Sequence, residues 1–317
     1  MILRTLKAAG VRAKGEKISR KKLFRNNLGL YVMLLPGLIY ILVFKYLPMY
    51  GITIAFQDFN IFKGVMGSEW VGMANFEKMF SDPEFYQVFM NTLIISISKL
   101  VVLFPLPIVA ALMINEIHTA WFKKTTQTII YLPHFISWVI VAGIFTSLLS
   151  PSSGLVNMLI TALGGEPVSF MMSNDWFRKV LVFSDGWKET GYGAVVYIAA
   201  IAGVDQQLYE AARVDGAGRL RTIWSITLPS IATTIVLMLI LRLGSILEAG
   251  TEQILAMYNP TVYQTGDVIG TYVYRMGLGQ QQYSMTTAVG LFNSVVGFIL
   301  VVSGNFFSKK ISGSSIW

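Results

Sequence analysis

Cysteine is absent from the 317 residues, and histidine occurs only at His118 and His134. The first absence excludes a disulfide framework, a zinc–thiolate site and a cysteine nucleophile. The second leaves too few ligands for a histidine-built metal site. Charge is also scarce. Asp, Glu, Lys and Arg make up 13% of the chain and hydrophobic residues 54%, where an average soluble protein carries about 25% charge. Mean hydropathy is +0.59. So little charge cannot cover a water-facing surface, which sets aside the soluble, disordered and collagen-like classes. No G-x-x-x-x-G-K-[ST] string occurs, so the chain has no phosphate-cradling loop and no nucleotide cofactor site of its own. No G-x-S-x-G occurs either, and the two histidines are far apart, which argues against an intramembrane enzyme. Neither a low-complexity segment nor an internal repeat is visible, against a transporter made of two fused halves.

What the chain does contain is long apolar stretches. Six can cross a bilayer at about 20 residues each, at 28–50, 88–114, 128–149, 185–204, 228–249 and 286–307. Pro105 and Pro107 are expected to kink the second. The fourth is weak by hydropathy. The expected fold is all-α, a polytopic membrane protein with roughly 60–65% helix, well above the soluble base rate. Residues 1–27 form a basic tail, and 28–317 a single transmembrane domain.

Nine of the 25 Lys and Arg residues precede residue 28, opposed only by Glu16. Beside an apolar span this run reads as a cytoplasmic topology anchor rather than a nucleic-acid patch. The stretch that follows is too long for a signal-peptide core, and no A-x-A-like site closes it. With the N-terminus inside, the tail, Lys123 and Lys124, Arg213, Arg219 and Arg221, and Lys309 and Lys310 place 16 of the 25 cations inside. That surplus predicts six crossings with both termini in the cytoplasm. The outer connections, 51–87, 150–184 and 250–285, are long enough to carry function or partner contacts.

The connection between the fourth and fifth stretches, YEAARVDGAGRLRTIWSITLP at 209–229, is the most informative. A short helix is predicted over 208–214, with a small face at Ala211 and Ala212. Asp215-Gly216 ends it, since glycine accepts the left-handed conformation of a C-terminal cap. A second short helix is predicted over 219–226, and Pro229 suits the first turn of helix five. The spaced string Glu210-Ala211-Ala212, three residues, Gly216, nine residues, Ile226, one residue, Leu228-Pro229 resembles the coupling-loop signature of bacterial binding-protein-dependent ABC importer permeases. YGITIAFQDFNIF (50–62), VGMANFEKMF (71–80), NTLIIS (91–96), YLPHFISWVIVAG (131–143) and NPTVYQTGDVIGTYVYRMGL (259–278) extend the resemblance to the subgroup that imports oligosaccharides and polysaccharide fragments.

The resemblance implies a type I importer permease fold in the bacterial cytoplasmic (inner) membrane, with core helices at about 88–307 and a coupling loop at 205–228. It implies a homologous second permease subunit, two ATPase subunits that bind ATP and Mg, and an extracytoplasmic solute-binding protein that delivers the sugar. Glu210 would pair with a basic residue of the ATPase, while Ala211 and Ala212 permit close approach and Asp215, Gly216, Leu228 and Pro229 complete the coupling element. The competing class is a secondary transporter or channel acting without an ATPase.

Ionisable residues at membrane depth are costly and usually face a cavity or a partner. Asp185, Glu189 and Tyr192 fall at i, i+4 and i+7, on one helix face, with Lys188 beside them. Arg242, Ser245 and Ala249 share another face, next to Glu248. The helical rise puts Arg242 about 20 Å and Glu189 about 24 Å above the inner ends of their helices, at similar depth. Two readings stand. These residues, with Lys99 of helix two, line a sugar path, or Glu189 and Arg242 form an ion pair that only holds helices four and five together. If Lys99 and Arg242 both reach the cavity, an acidic sugar such as a uronic-acid oligomer fits. Lys99 has no evident partner in the sequence, so it either neutralises an acid of the partner subunit or lines the path. His134, Trp70, Trp138, Trp176 and Trp187 read as packing or interfacial residues, and Asn115 and Glu116 as the end of helix two.

Overall fold

The computed structural model describes residues 27–312, with side chains through 306. The basic tail, and the side chains of Lys309 and Lys310, lie outside the described residues. Two units separate at residues 53 and 54. In the first, helix α1 (Leu28–Ile41) is apolar all round and buries none of its residues, the pattern of a membrane-spanning helix. A π-turn (Leu42–Tyr46) and a 3-10 segment (Leu47–Phe56) prolong it.

The second unit is helical apart from a two-stranded antiparallel ribbon, β1 (Gln57–Asp58) on β2 (Glu69–Trp70). Helix α2 (Ala74–Ser81) leads to α3 (Pro83–Leu103). Asp82 caps α3 by accepting the Glu84 amide at 2.9 Å, and Pro83 takes the first turn, where its missing N–H is not needed. Pro105 ends α3 and opens α4 (Pro105–Asn115). Helix α5 (Ala120–Tyr131) runs into a 3-10 turn at Leu132–Phe135 and meets α6 (Trp138–Leu148) at 101°. The predicted third span is thus a bent pair: Pro133 interrupts the amide ladder, and Ser137 starts α6 by capping the Ile140 amide.

Helix α7 (Leu155–Ala162) lies in the connection between α6 and the next long helix. Helix α8 (Asn174–Ala202) is the long axis of this unit, at 29 residues. It begins 11 residues before the predicted fourth span because its first turns, carrying Asn174, Asp175 and Arg178, are helical but too polar for a hydropathy reading. Helix α9 (Gln206–Val214) and α10 (Arg219–Thr222) follow. From Arg219 to Ser230 the chain is one continuous helix, so the predicted 219–226 helix and the start of helix five are the same rod. A π-turn at Ile223–Thr227 carries it past Pro229, and the bend, 62°, comes at Ile231 before α11 (Ala232–Gly244). Helices α12 (Thr251–Met257), α13 (Ile269–Val273) and α14 (Tyr283–Ser312) complete the unit.

Helix makes up about 80% of the described residues, above expectation because the long connections between the apolar stretches are themselves largely helical. Among the described residues, three helices are long and apolar enough to cross a membrane, or up to five if each bent pair is one span. Helix α8 is not among them, since Asp185, Lys188 and Glu189 sit mid-helix.

Apolar packing divides into clusters along α8. Phe177, Val180 and Leu181 join Phe145, Ile254 and Val262 near its start. Ala194, Tyr197 and Ile201 join Ala111 and Ile231 near its end. Between them α8 presses onto α5, where a side chain on Gly191 would run into the Ile130 carbonyl. The charged stretch of α8 is therefore sandwiched between two apolar layers.

Candidate functional site

The charged side chains converge in that polar layer. Lys99 Nζ lies 3.1 Å from Asp185 Oδ2, with side-chain exposures of 4% and 8%. The same carboxylate oxygen is 3.9 Å from Arg242 Nη2, whose side chain is 46% exposed. Asp185 supplies the partner for Lys99 that the sequence did not show. The Glu189–Arg242 ion pair, one of the two readings, is not formed among the described residues. Glu189 instead contacts His134 Nδ1 at 2.8 Å and Lys188 Nζ at 3.2 Å, because the turn at Leu132–Phe135 brings His134 onto α8.

Lys99 and Ser96, one turn apart on α3, also hold the break after α11. The Ser96 hydroxyl donates to the Ile246 carbonyl, and Lys99 donates to the Ala249 carbonyl at 3.0 Å and to Gln253 Oε1. Gln253 passes the connection on, its amide donating to the Leu181 carbonyl and to Ser184 Oγ, both at 2.8 Å. The backbone turns through left-handed conformations at Ala249 (φ 52°) and Gly250 (φ 80°). A side chain at Gly250 would meet the Lys99 ammonium. Gly250→Ala is therefore expected to destabilise the protein by about 2 kcal/mol, from left-handed strain plus the displaced ammonium. Gly290→Ala, with open space around an α14 position, is expected to be neutral or slightly stabilising. Denaturation midpoints of the two variants check this.

A cavity of about 220 Å³ opens on the cluster, lined by Lys99, Trp138, Asp185, Glu189, Arg242, Ser245 and Glu248 among others. A second, of about 170 Å³, shares Asp185, Glu189 and Arg242 and continues along α8 past Thr190 and Tyr192 to Tyr197. The Thr190 hydroxyl is buried without a hydrogen-bond partner. Tyr192 stacks on His134 at 3.8 Å between ring centroids. Of the eight path candidates, seven line these cavities. Lys188 does not: its ammonium turns to the His134 carbonyl at 2.5 Å and over the Trp138 ring at 5.3 Å. The sequence reading missed Ser96, Gln253, Thr190 and the lining role of Trp138. Ser96 stands three residues before Lys99 on the same helix face, a visible signal. Gln253 arrives on the short helix α12, whose return into the layer no periodicity announces.

Polar bonds also pin the chain beyond the spans. Arg275 Nη2 contacts Asp267 at 2.6 Å and Glu84 at 2.7 Å, and Tyr272 donates to Asp82 at 2.9 Å. Burial opposes the Arg275 charge, but hydrogen bonds to Asp267 and Glu84 outweigh it and hold the guanidinium charged more firmly than usual.

The second group of candidates lies at the other end of α8. Asp205 caps α9 by accepting the Gln207 amide at 2.9 Å. Its end is a Schellman motif: Gly216 (φ 69°) donates to the Arg213 carbonyl at 3.1 Å and Ala217 to that of Ala212 at 2.8 Å. Glu210 and Ala211 are exposed and Ala212 half-buried, alongside exposed Leu208 and Val214. The Tyr209 hydroxyl lies 3.2 Å from Thr227 Oγ1, and Arg219 Nε 3.8 Å from Glu116 Oε2, tying this element to the following rod and to the end of α4. Leu228 and Pro229 lie in that rod, Leu228 at the wall of an apolar groove with Leu220 and Trp224.

Comparison with known proteins bears on both groups. The profile of the family described as "Binding-protein-dependent transport system inner membrane component" matches residues 103–313. The chain is 48% identical over 288 residues to the polygalacturonan/rhamnogalacturonan transport system permease protein YteP of Bacillus subtilis (strain 168), covering 91% of this chain and 90% of that protein. It is 45% identical to protein LplB of the same organism, over 98% of this chain and 97% of that one. Among solved structures, a chain of a bacterial alginate ABC transporter, crystallised in complex with alginate pentasaccharide-bound periplasmic protein, superposes with a TM-score of 0.86. It is 43% identical, over 93% of this chain and 99% of that chain.

Proposed function

This chain belongs to the binding-protein-dependent transport system inner membrane components, and we propose that it forms half of the translocation path of an ATP-driven importer of uronate-bearing oligosaccharides. It is a transport subunit rather than an enzyme, and family membership replaces the alternative of a transporter or channel working alone. One observation carries the choice of cargo. Arg242 presents a half-exposed guanidinium to the cavity, and the one carboxylate it reaches among the described residues, Asp185 at 3.9 Å, is already held by Lys99 at 3.1 Å. A planar guanidinium with unused donors suits a sugar carboxylate, which it can take through two parallel hydrogen bonds. Asp185, Glu189 and Glu248 accept from sugar hydroxyls, and Trp138 offers a face to a sugar ring. The similarity to a transporter of the acidic polysaccharide alginate supports the same class.

The wider assembly follows from the family. Helix α8 joins the five candidate spans as a sixth, and the cation surplus of the tail, the coupling loop and the C-terminus favours both ends inside the bacterial cytoplasmic membrane. Residues 28–317 act as the permease domain behind a basic tail. A homologous second permease subunit completes the path, two ATPase subunits bind ATP and Mg, and an extracytoplasmic binding protein delivers cargo. Glu210 to Gly216 seats in the ATPase, with Leu228 and Pro229 carrying its motion into the spans.

The cargo reading is tested by uptake into proteoliposomes holding the whole importer. Oligogalacturonate and a neutral oligosaccharide of equal length are compared. Arg242→Ala is expected to cut acidic uptake about 10- to 100-fold, the worth of a charge-assisted hydrogen bond, and to leave neutral uptake within about twofold. Equal losses for both, or none, would overturn the assignment.

A further inference from the structure

Opposite the charged cluster, α8 carries a second feature that the transport reading leaves unused. Trp176, Val180, Phe183 and Trp187 recur on one helix face, turned about 180° from Asp185, Glu189 and Tyr192 by the 3.6-residue period. With Phe145 and Leu148 of α6 they wall an apolar groove of about 560 Å³. Phe183 is 69% exposed, so the groove is open at its middle. One cation stands at it. Lys179 is exposed, with its ammonium 4.2 Å over the Trp176 ring and no carboxylate within ion-pair distance among the described residues.

We propose that this groove holds an acyl chain of an anionic phospholipid whose phosphate rests on Lys179. The slot is long: Trp176 to Trp187 spans about 16 Å at the helical rise, and apart from Lys179 its walls are apolar. The cation lies near one end of the slot, beside a tryptophan, where a headgroup would stand over its own chain. An apolar body with one unpaired cation matches an amphiphile of negative charge, and tryptophan and lysine are residues that settle at the lipid headgroup level. The inference needs only a chain that spans the membrane; it does not depend on the cargo.

The test uses the complete importer in nanodiscs doped with brominated phosphatidylglycerol or brominated phosphatidylcholine. Tryptophan quenching is read as the difference from the Trp176→Phe/Trp187→Phe variant, which isolates the groove signal. Wild type is expected to favour the anionic lipid about fivefold, the gain from one cation near a membrane surface. Lys179→Gln is expected to abolish the preference, and Lys179→Arg to keep it. Equal quenching by both lipids in wild type, a preference that survives Lys179→Gln, or no quenching by either because protein covers the groove would each overturn the proposal.

Discussion

Asp185→Leu is expected to destabilise the protein by about 3–5 kcal/mol, the cost of leaving the other member of a buried ion pair without its counter-charge. The stranded charge is Lys99, 4% exposed and 3.1 Å from the carboxylate in the wild type. Its remaining contacts, the Ala249 carbonyl and Gln253 Oε1, are neutral. Arg242, already near the same carboxylate, would add repulsion. Adding Lys99→Met removes the second charge, and two apolar side chains of similar volume replace the pair. Such replacements are commonly neutral or stabilising, so the double variant is expected to recover most of the lost stability. Transport is expected to stay lost in both, because Arg242 has lost its Asp185 neighbour in each, and in the double variant the break at Ala249 and Gly250 also loses its Lys99 anchor. Denaturation of the purified importer together with uptake separates the two effects. A single variant within about 0.5 kcal/mol of wild type, the range of ordinary surface substitutions, would contradict the pairing.

The cluster shows what a sequence can and cannot disclose. The i, i+4, i+7 spacing put Asp185, Glu189 and Tyr192 on one face, and the rise per residue put Arg242 at their depth; all four line the second cavity. These are properties of single helices, which periodicity encodes. Which charge meets which is decided between helices. Lys99 reaches Asp185 because α3 packs against α8, and Glu189 turns to His134 because Pro133 breaks the third span by 101°. No spacing along the chain reports either. The short helix before Gly216 was legible from its C-terminal glycine and its small face, which are local devices, but its start was placed two residues late because the Asp205 cap was not read. The boundary errors share one cause. Hydropathy sees where lipid would be, so it missed the polar first turns of α8, and it could not see that the helix before Pro229 continues through a π-turn.

Replacing Glu210 by Ala is expected to separate stability from coupling. Helix α9 is fixed at both ends by local bonds, the Asp205 side-chain cap at its start and the backbone Schellman turn at Gly216 at its end. Glu210 is exposed and makes no ion pair among the described residues, so its loss should change permease stability by no more than about 0.5 kcal/mol. It is exposed on a helix face shared with exposed Ala211 and Val214. Truncating one member of a hydrogen-bonded charge pair buried between proteins costs about 2–5 kcal/mol, or at least about 30-fold in affinity. Cargo-stimulated ATP hydrolysis, or recovery of the ATPase with the permease, should fall by that factor. The motion would be relayed through two contacts, Tyr209 to Thr227 into the rod Arg219–Ser230, and Arg219 to Glu116 into α4, which packs on α8. Tyr209→Phe is accordingly expected to weaken stimulation several-fold while leaving ATPase recovery intact, because the hydroxyl it removes faces this chain and not the partner. Glu210→Ala with wild-type ATPase recovery and undiminished stimulated hydrolysis would show that α9 is not the element through which the ATPase drives the spans.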